Sequence, residues 1–297
     1  MRALAEFIMR GRMQAIFVVA GAAAVPMLFW LSAAAGCLVL LRRGLNDALG
    51  VLSWGVLPAL AWWYFGDPRT LLVLLGSLSL AMLLRSQGSW PRVMLCSVGL
   101  GMLYAWGLSM VFGEPITALA SELKKVLPDV LADAYQQLSL EEQARLESLL
   151  APVLTGLLAA LLQIVTLFSL MLGRYWQAAL YNPGGFGDEF RALRLSPLLA
   201  MLLLVGMLVG PSLGVQTAML APLCSVPLVF AGAALMHGLV AQKRMSRFWL
   251  VGLYVTLVLF MQLIYPLLAV VAIVDSLFDF RGRATPNGGA GPANGEG

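Results

Sequence analysis

Four polar side chains stand inside long apolar stretches of the sequence and are its first candidates for binding chemistry. Asn46 and Asp47 follow a basic pair, whereas Gln163 and Gln262 each stand within an uninterrupted apolar run. Polar groups at membrane depth are costly and therefore often mark functional sites. A carboxylate can hold a proton or contact a substrate, and an amide can hydrogen-bond a ligand, so these four residues form the predicted ligand-binding set.

Each of these residues also has a structural interpretation. An acid in the first turn of a helix is stabilised by the helix dipole, and Asp47 can pair with Arg42 or Arg43. Either glutamine can form a hydrogen bond between helices, worth about 1 kcal/mol. Both interpretations stay open at this point.

The residues that catalysis would need are missing from the sequence. It holds one histidine, His237, and three cysteines, all of them within apolar runs. It contains neither a Gly-x-Ser-x-Gly nucleophile motif nor a Walker phosphate-binding loop. We therefore predict no catalytic residue, no metal site and no cofactor, and we do not expect an enzyme.

The composition of the chain defines its class. Of 297 residues, 60% are hydrophobic and only 11% are charged, whereas soluble domains are typically about 25% charged. The apolar runs are too long for a soluble protein or for the alternating strands of a barrel. The sequence therefore predicts an all-α, polytopic helical membrane protein that contacts the lipid bilayer. The net charge of +4 is typical of cytoplasmic loops, so we expect no nucleic-acid partner.

Apolar runs that can enter the membrane occur eight times along the chain. Their approximate ranges are 13–41, 44–65, 70–84, 92–112, 149–173, 195–210, 215–240 and 247–280. The first has 29 residues and the last has 34, more than the roughly 20 that one span needs. Pro26 and Pro266 are the predicted break points, because proline removes a backbone donor. We expect eight or nine membrane segments, some of them short or broken at proline.

The distribution of positive charge supports these two breaks. If 13–25 and 27–41, and likewise 247–264 and 266–280, form hairpins, then 15 of the 19 basic residues fall on one side. They are Arg2, Arg10, Arg12, Arg42, Arg43, Arg85, Arg92, Arg174, Arg191, Arg194, Lys243, Arg244, Arg247, Arg281 and Arg283. Basic residues concentrate in cytoplasmic loops. We therefore expect a multi-pass protein of a bacterial inner membrane with both termini in the cytoplasm.

The remaining segments complete the predicted domain organisation. Residues 1–112 form an N-terminal membrane bundle, 149–281 a C-terminal bundle, and 282–297 a disordered tail rich in glycine and proline. Between the bundles, 113–148 is predicted to be an extracytoplasmic, amphipathic helical loop. Its helix is interrupted at Pro128, and a capping box at Ser139–Glu142 starts the next helix. The loop either lies on the membrane surface or forms a lid over a cavity.

Two stretches of the sequence carry a resemblance to a known family. "NPGGFGDEFRALRL" (182–195) and "IVDSLFDFRGR" (273–283) resemble the YybS-like family of predicted bacterial membrane proteins, a domain family of unknown function. The likeness extends over nearly the whole chain, to about residue 283. The family feature at the end of the last helix corresponds here to Asp275, Ser276, Phe278, Asp279, Phe280 and Arg281.

A weaker resemblance concerns the N-terminus. Pro26, a short apolar helix and then Arg42-Arg43-Gly44 are similar to the substrate-binding (S) components of energy-coupling-factor vitamin transporters. This resemblance implies a substrate-binding or transport component for a small molecule, working with partner proteins. The alternative is a membrane scaffold or assembly factor that acts through its loops. In that alternative, Asp47, Gln163 and Gln262 would satisfy one another.

Overall fold

The computed structural model describes residues 2–242, 245–246 and 248–283, and every regular element within these ranges is helical. This confirms the all-α prediction. The helices are α1 (Arg2–Arg10), α2 (Arg12–Ala24), α3 (Phe29–Arg43), α4 (Leu45–Tyr64), α5 (Arg69–Gln87), α6 (Trp90–Leu131), α7 (Asp133–Gln136), α8 (Leu140–Tyr181), α9 (Gly185–Ala192), α10 (Pro197–Leu213), α11 (Leu220–Gln242), α12 (Phe248–Leu259), α13 (Met261–Phe278) and α14 (Phe280–Arg283). Residues 284–297 of the predicted disordered tail lie outside the described ranges.

The first long apolar run forms a hairpin, as the charge distribution predicts. The chain leaves helical geometry at Val25, immediately before Pro26. The Ser32 hydroxyl donates to the Val19 carbonyl at 2.7 Å, and Arg43 donates to the Met9 carbonyl at 2.8 Å. Since these pairs close towards the turn, α2 and α3 run antiparallel and bring both basic ends of the run together.

The last long apolar run also breaks, but not at the predicted residue. Phe260, with φ −125° and ψ 45°, separates α12 from α13, and Pro266 lies inside α13. The prediction of a break at Pro266 was wrong. Proline crowds the carbonyl four residues earlier, here that of Gln262. That carbonyl lies in the first turn of α13, so the chain leaves helical geometry just upstream of it and not at the proline.

The number of segments that can cross a membrane is smaller than predicted. Six described helices are long and apolar enough, or seven if the bent pair α9–α10 counts as one span. The expected count of eight or nine is therefore not supported, although the long apolar helices fit a multi-pass membrane protein. The difference arises because α2 has 13 residues and α12 has 12. Asn46, Asp47 and an interior Pro58 also dilute the apolar character of α4.

The predicted loop 113–148 is mostly the continuation of two long helices. α6 and α8 have 42 residues each, about 63 Å at 1.5 Å per residue. α6 bends at Phe112 but continues through Pro128 to Leu131, so the predicted interruption at Pro128 was wrong. The capping box at Ser139 and Glu142 is present and starts α8, as predicted.

Near the tip, α8 contacts both the short helix α7, which contains Tyr135, and α6, which contains Lys124. Tyr135 donates to Glu147 at 2.8 Å, and Lys124 lies 3.9 Å from the same carboxylate. We refer to residues 113–148 as the overhang.

α8 is the central helix of the bundle. It packs against α3, α5 and α6 on one side and against α9 and α11 on the other. Gly173 allows a close approach of α3, because an added Cβ there would stand 2.8 Å from the Ala34 carbonyl oxygen. The C-terminal helices α10, α11 and α13 pack on one another, and α11 also packs on α8. The candidate site lies among these helices.

Candidate functional site at the basic end of the bundle

Arginines that are far apart in the sequence meet at one end of the bundle, which we call the basic end. Arg85 of α5 donates to the Leu40 carbonyl at 2.7 Å. Arg42 lies over the Tyr181 ring, 3.9 Å from its centroid. Together with the contact of Arg43 to α1, these bonds close the last turns of α3, α5 and α8 against each other. The basic end comprises Arg42, Arg43, Arg85, Arg174, Arg191, Arg194 and Arg281.

α9 lies across this end and is anchored through Glu189. Arg174 of α8 pairs with the Glu189 carboxylate, with 3.0 Å between Nε and Oε2. The Trp90 indole donates to the same carboxylate at 3.3 Å. Burial of Glu189 opposes its ionisation, but the hydrogen bonds from Arg174 and Trp90 outweigh burial, so the pKa of Glu189 lies below its usual value.

The two stretches that carry the family resemblance pack together here. Arg281 and Asp275 form an ion pair at 2.8 Å, and their side chains are only 11% and 3% exposed. The same guanidinium donates to the carbonyls of Arg191 at 2.6 Å and Leu193 at 3.0 Å. The end of α13 is thereby fastened to the end of α9, across about ninety residues of sequence.

A second arginine, Arg194, strengthens this joint. Arg194 lies 3.0 Å from Asp279 and donates to the Asp275 carbonyl at 3.0 Å. The sequence spacing predicts that Asp279 pairs with Arg283, four residues on. Asp279 pairs with Arg194, and α13 ends at Asp279 in a left-handed conformation; the pair with Arg283 stays a prediction. The side chain of Arg283 lies outside the described residues.

These contacts surround a pocket of about 390 Å³ at the basic end, which we call the basic pocket. Its lining combines three arginines with two acids and the last turns of α11. The lining residues are Asp188, Arg191, Ala192, Arg194, Gly238, Ala241, Gln242, Asp279 and Arg281.

A second cavity of about 380 Å³ lies between α8, α11, α12 and α13, and we call it the apolar cavity. Its wall is almost entirely hydrocarbon and aromatic. The lining residues are Ile164, Phe168, Met171, Phe190, Val226, Val229, Phe230, Ala233, Tyr254, Leu257, Val258, Met261, Tyr265 and Leu268.

Tyrosine hydroxyls mark the two ends of the apolar cavity. Tyr265 contacts the Ser225 hydroxyl at 2.9 Å, and Tyr254 contacts His237 Nε2 at 2.8 Å. His237 in turn packs against the Phe190 ring, with 5.3 Å between ring centroids. On α11 the lining runs from Val226 to Ala233, about 10 Å of helix, and Ser225 and His237 lie just beyond the two ends of that lining. The cavity is an elongated slot with a polar group at each end.

The four residues predicted as ligand-binding do not form one site. Asn46 and Asp47 are exposed in the first turn of α4, and Gln262 is exposed in the first turn of α13. Gln163 is fully buried. Arg43 donates a hydrogen bond to the Met9 carbonyl, and Arg42 lies over the Tyr181 ring. The contacts described for the two arginines therefore differ from the predicted pair with Asp47.

Gln163 forms a hydrogen bond between two central helices. Its amide nitrogen donates to the Ser97 hydroxyl of α6 at 2.8 Å. Its carbonyl oxygen has no hydrogen-bond partner among the described residues. This oxygen packs closely against Gly101 of α6, where an added Cβ would lie 3.2 Å from it. Gln163 does not reach Asp47 or Gln262, so the mutual satisfaction that the scaffold alternative requires is not observed.

Comparison with known protein families, with curated proteins and with solved structures finds no match to this chain. The site must therefore be interpreted from its own residues. Sequence reasoning missed the Arg174–Glu189 and Arg281–Asp275 pairs, although Glu189, Asp275 and Arg281 lie in the two stretches 182–195 and 273–283. The signal in the sequence was that both stretches contain acids together with arginines. Because burying a charged side chain is costly unless it is paired, this composition indicates ion pairs between the stretches and their neighbours.

Proposed function

We propose that this protein is a membrane-embedded binding component for a small molecule that carries an apolar chain. The observation that carries the proposal is the apolar cavity between α8, α11, α12 and α13. Ligand sites are typically concave, largely apolar and equipped with a few polar groups that fix orientation. The cavity has this composition, with Tyr254 and Tyr265 as the polar groups.

The way α12 packs supports entry of a ligand. Every residue of α12 is at least partly exposed, and its packing partners are α13 and α11. A helix with so little buried surface moves at low cost. α12 therefore forms a movable wall through which a molecule dissolved in the bilayer can reach the slot. Because the sequence has no nucleotide-binding loop of its own, any energised transport would use a partner protein.

Photolabelling with a hexadecyl probe that carries a diazirine tests this proposal. We expect crosslinks to map to α11 and α12 residues of the cavity. Ala233→Trp places an indole in the slot and should abolish this labelling. Val255→Trp on the exposed face of α12 is the matched control and should leave it unchanged, since Val255 does not line the cavity. Labelling spread evenly over the lipid-facing surface, or unaffected by Ala233→Trp, would refute the proposal.

A scaffold function is the second candidate, and the overhang favours it. Leu119, Leu123, Val126 and Val130 recur at helical spacing on α6 and are 52%, 39%, 50% and 71% exposed. Such a stripe fits a partner helix. A photoreactive amino acid at Val126 should then give a discrete crosslinked species in cells, whereas one at Ser121, which is exposed on the opposite face of α6, should not.

A further inference from the structure

The apolar cavity and the basic pocket share a continuous strip of α11. Val226, Phe230 and Ala233 line the cavity, Ala241 lines the basic pocket, and His237 lies between them. Residues spaced by three or four lie on one face of a helix. The two openings are therefore successive sections of one surface, not sites on opposite sides of the bundle.

α9 makes the same connection from the other wall. Phe190 lines the apolar cavity, and the next residue, Arg191, lines the basic pocket. The Phe190 ring contacts His237, so the aromatic end of the slot lies beside the arginines. A molecule whose chain fills the slot would have its head next to Arg191.

The arginines of the pocket differ in how firmly they are held. Arg281 is paired with the buried Asp275, so its guanidinium is held in a structural ion pair. Arg191 is paired with Asp188, which is 78% exposed. Arg194 keeps Nε and one terminal nitrogen on the carbonyls of Asp275 and Ser276, and its other terminal nitrogen pairs with Asp279, which is 44% exposed. Ion pairs between exposed groups are weak, so an incoming anion can replace them. A guanidinium presents several donors in a planar array that matches phosphate oxygens.

We infer that the ligand of the apolar cavity is an amphiphile with an anionic head of the phosphate type, held by Arg191 and Arg194. The chain lies in the slot, and the head passes His237 into the basic pocket. This inference rests on the proposed function and specifies the class of molecule. The apolar slot explains binding of a chain, and the adjacent arginines explain selection of its head.

Competition against the diazirine probe tests the head-group preference. The competitors are hexadecyl phosphate, hexadecyl phosphocholine and inorganic phosphate, added to the full-length protein in neutral detergent. Hexadecyl phosphate should compete about tenfold better than the zwitterion, because each lost charge-assisted hydrogen bond costs about that factor. Inorganic phosphate should not displace the probe at equal concentration. If inorganic phosphate alone binds as tightly as hexadecyl phosphate, the pocket is a site for free anions and the inference is overturned.

Two exposed residues provide the variants. Arg191→Gln should remove most of the preference for the phosphate head without lowering hexadecyl phosphocholine binding. Asp188→Asn should increase the affinity for hexadecyl phosphate, because it removes the acid that competes for Arg191. Arg92→Gln is the matched control: Arg92 is exposed, carries the same charge and lines neither cavity. Equal losses in Arg191→Gln and Arg92→Gln would indicate a general charge effect and overturn the inference.

The outcomes separate this inference from the proposed function. If both hexadecyl ligands bind equally well and Ala233→Trp abolishes both, the cavity binds apolar chains and the head-group assignment is wrong. If Ala233→Trp leaves hexadecyl binding intact, the proposed function itself fails.

Discussion

The two proline-containing hairpins of the chain, α2–α3 and α12–α13, each contain a short apolar helix, and these helices, α3 and α12, are packed in opposite ways. In α3, ten consecutive residues from Ser32 to Leu41 are buried, and half of the first six are alanine. In α12, every residue from Phe248 to Leu259 is at least partly exposed, and most are large or β-branched. Similar apolar sequences thus give a buried helix in one hairpin and a peripheral, exposed helix in the other.

Side-chain size explains this contrast. Inside a membrane, helices associate through close van der Waals packing, which small residues permit. Gly173 of α8 meets Ala34 and Cys37 of α3 almost backbone to backbone. An added Cβ at Gly252 of α12 would instead meet nothing within 4 Å. α3 is therefore closely packed, whereas α12 leaves space for a ligand. α13, the other half of the C-terminal hairpin, packs closely on α11, where a Cβ added at Gly232 would clash with the Leu268 carbonyl oxygen.

The largest expected effect comes from the buried pair that fastens the C-terminal hairpin. Asp275→Asn leaves the Arg281 charge buried without its partner, and we expect a loss of about 3–5 kcal/mol in stability. Thermal unfolding in detergent measures this loss. Asp188→Asn is the control, because its pair is exposed and should change stability by less than about 0.5 kcal/mol. Equal melting temperatures for the two variants would show that the α12–α13 hairpin is not held through Asp275.

Substitution of Gly173 and of Gly252 tests whether α3 is packed more closely than α12. Gly173→Ala forces α3 and α8 apart and should cost about 1–3 kcal/mol. Gly252→Ala on α12 has free space, so we expect unchanged or slightly increased stability, since alanine favours helix. If both variants melt like the parent protein, the close packing of α3 does not distinguish the hairpins.

A smaller effect is expected within the N-terminal hairpin. Ser32→Ala removes the buried hydrogen bond from α3 to the Val19 carbonyl and should cost about 1 kcal/mol. Hydrogen exchange should rise at the α2–α3 turn and stay constant in α12. Thr256→Ala is the matched control, since its hydroxyl bonds only within its own helix. Faster exchange in α12 after Ser32→Ala would contradict the independence of the two hairpins.

The smallest effect concerns the pair that joins α9 to α8. The pKa of Glu189 in the folded protein is lowered, so the stabilisation by this pair is present above the unfolded value of about 4.3. It is lost as the pH falls through the folded value. The melting temperature of the parent should exceed that of Glu189→Gln at pH 6, and the difference should shrink towards pH 3. A difference that is constant over this range would exclude the carboxylate as its cause.

The sequence was sufficient to predict those features that depend on local pattern and on charge. The break at Pro26 followed from the need to place Arg12 and Arg43 on one side, and the bond from Arg43 to Met9 confirms the hairpin. The capping box at Ser139 was equally readable. Both depend on residues that are close in sequence or on a rule that sums over the whole chain.

The site was not predictable in the same way. Intramembrane polarity drew attention to Asn46, Asp47, Gln163 and Gln262, yet the structure spreads these residues over three separate places. The network at the basic end depends on pairs such as Arg281 with Asp275 and on the meeting of α9 with α13, which only tertiary packing creates. The break at Phe260 was likewise hidden, because proline acts on the turn that precedes it.

The overhang extends beyond the hydrocarbon region of a bilayer. Helices of about 63 Å exceed the roughly 30 Å of bilayer hydrocarbon even at a tilt of about 40°, the upper end of the usual range, so a substantial part of α6 and α8 must stand in water or among lipid head groups. The tip, with Ala132 at a positive φ of 45° and mostly exposed side chains around it, contributes little to the packing of the fold. It is the natural place to insert an epitope or a fluorescent tag, and the side on which that tag is detected would orient the whole chain.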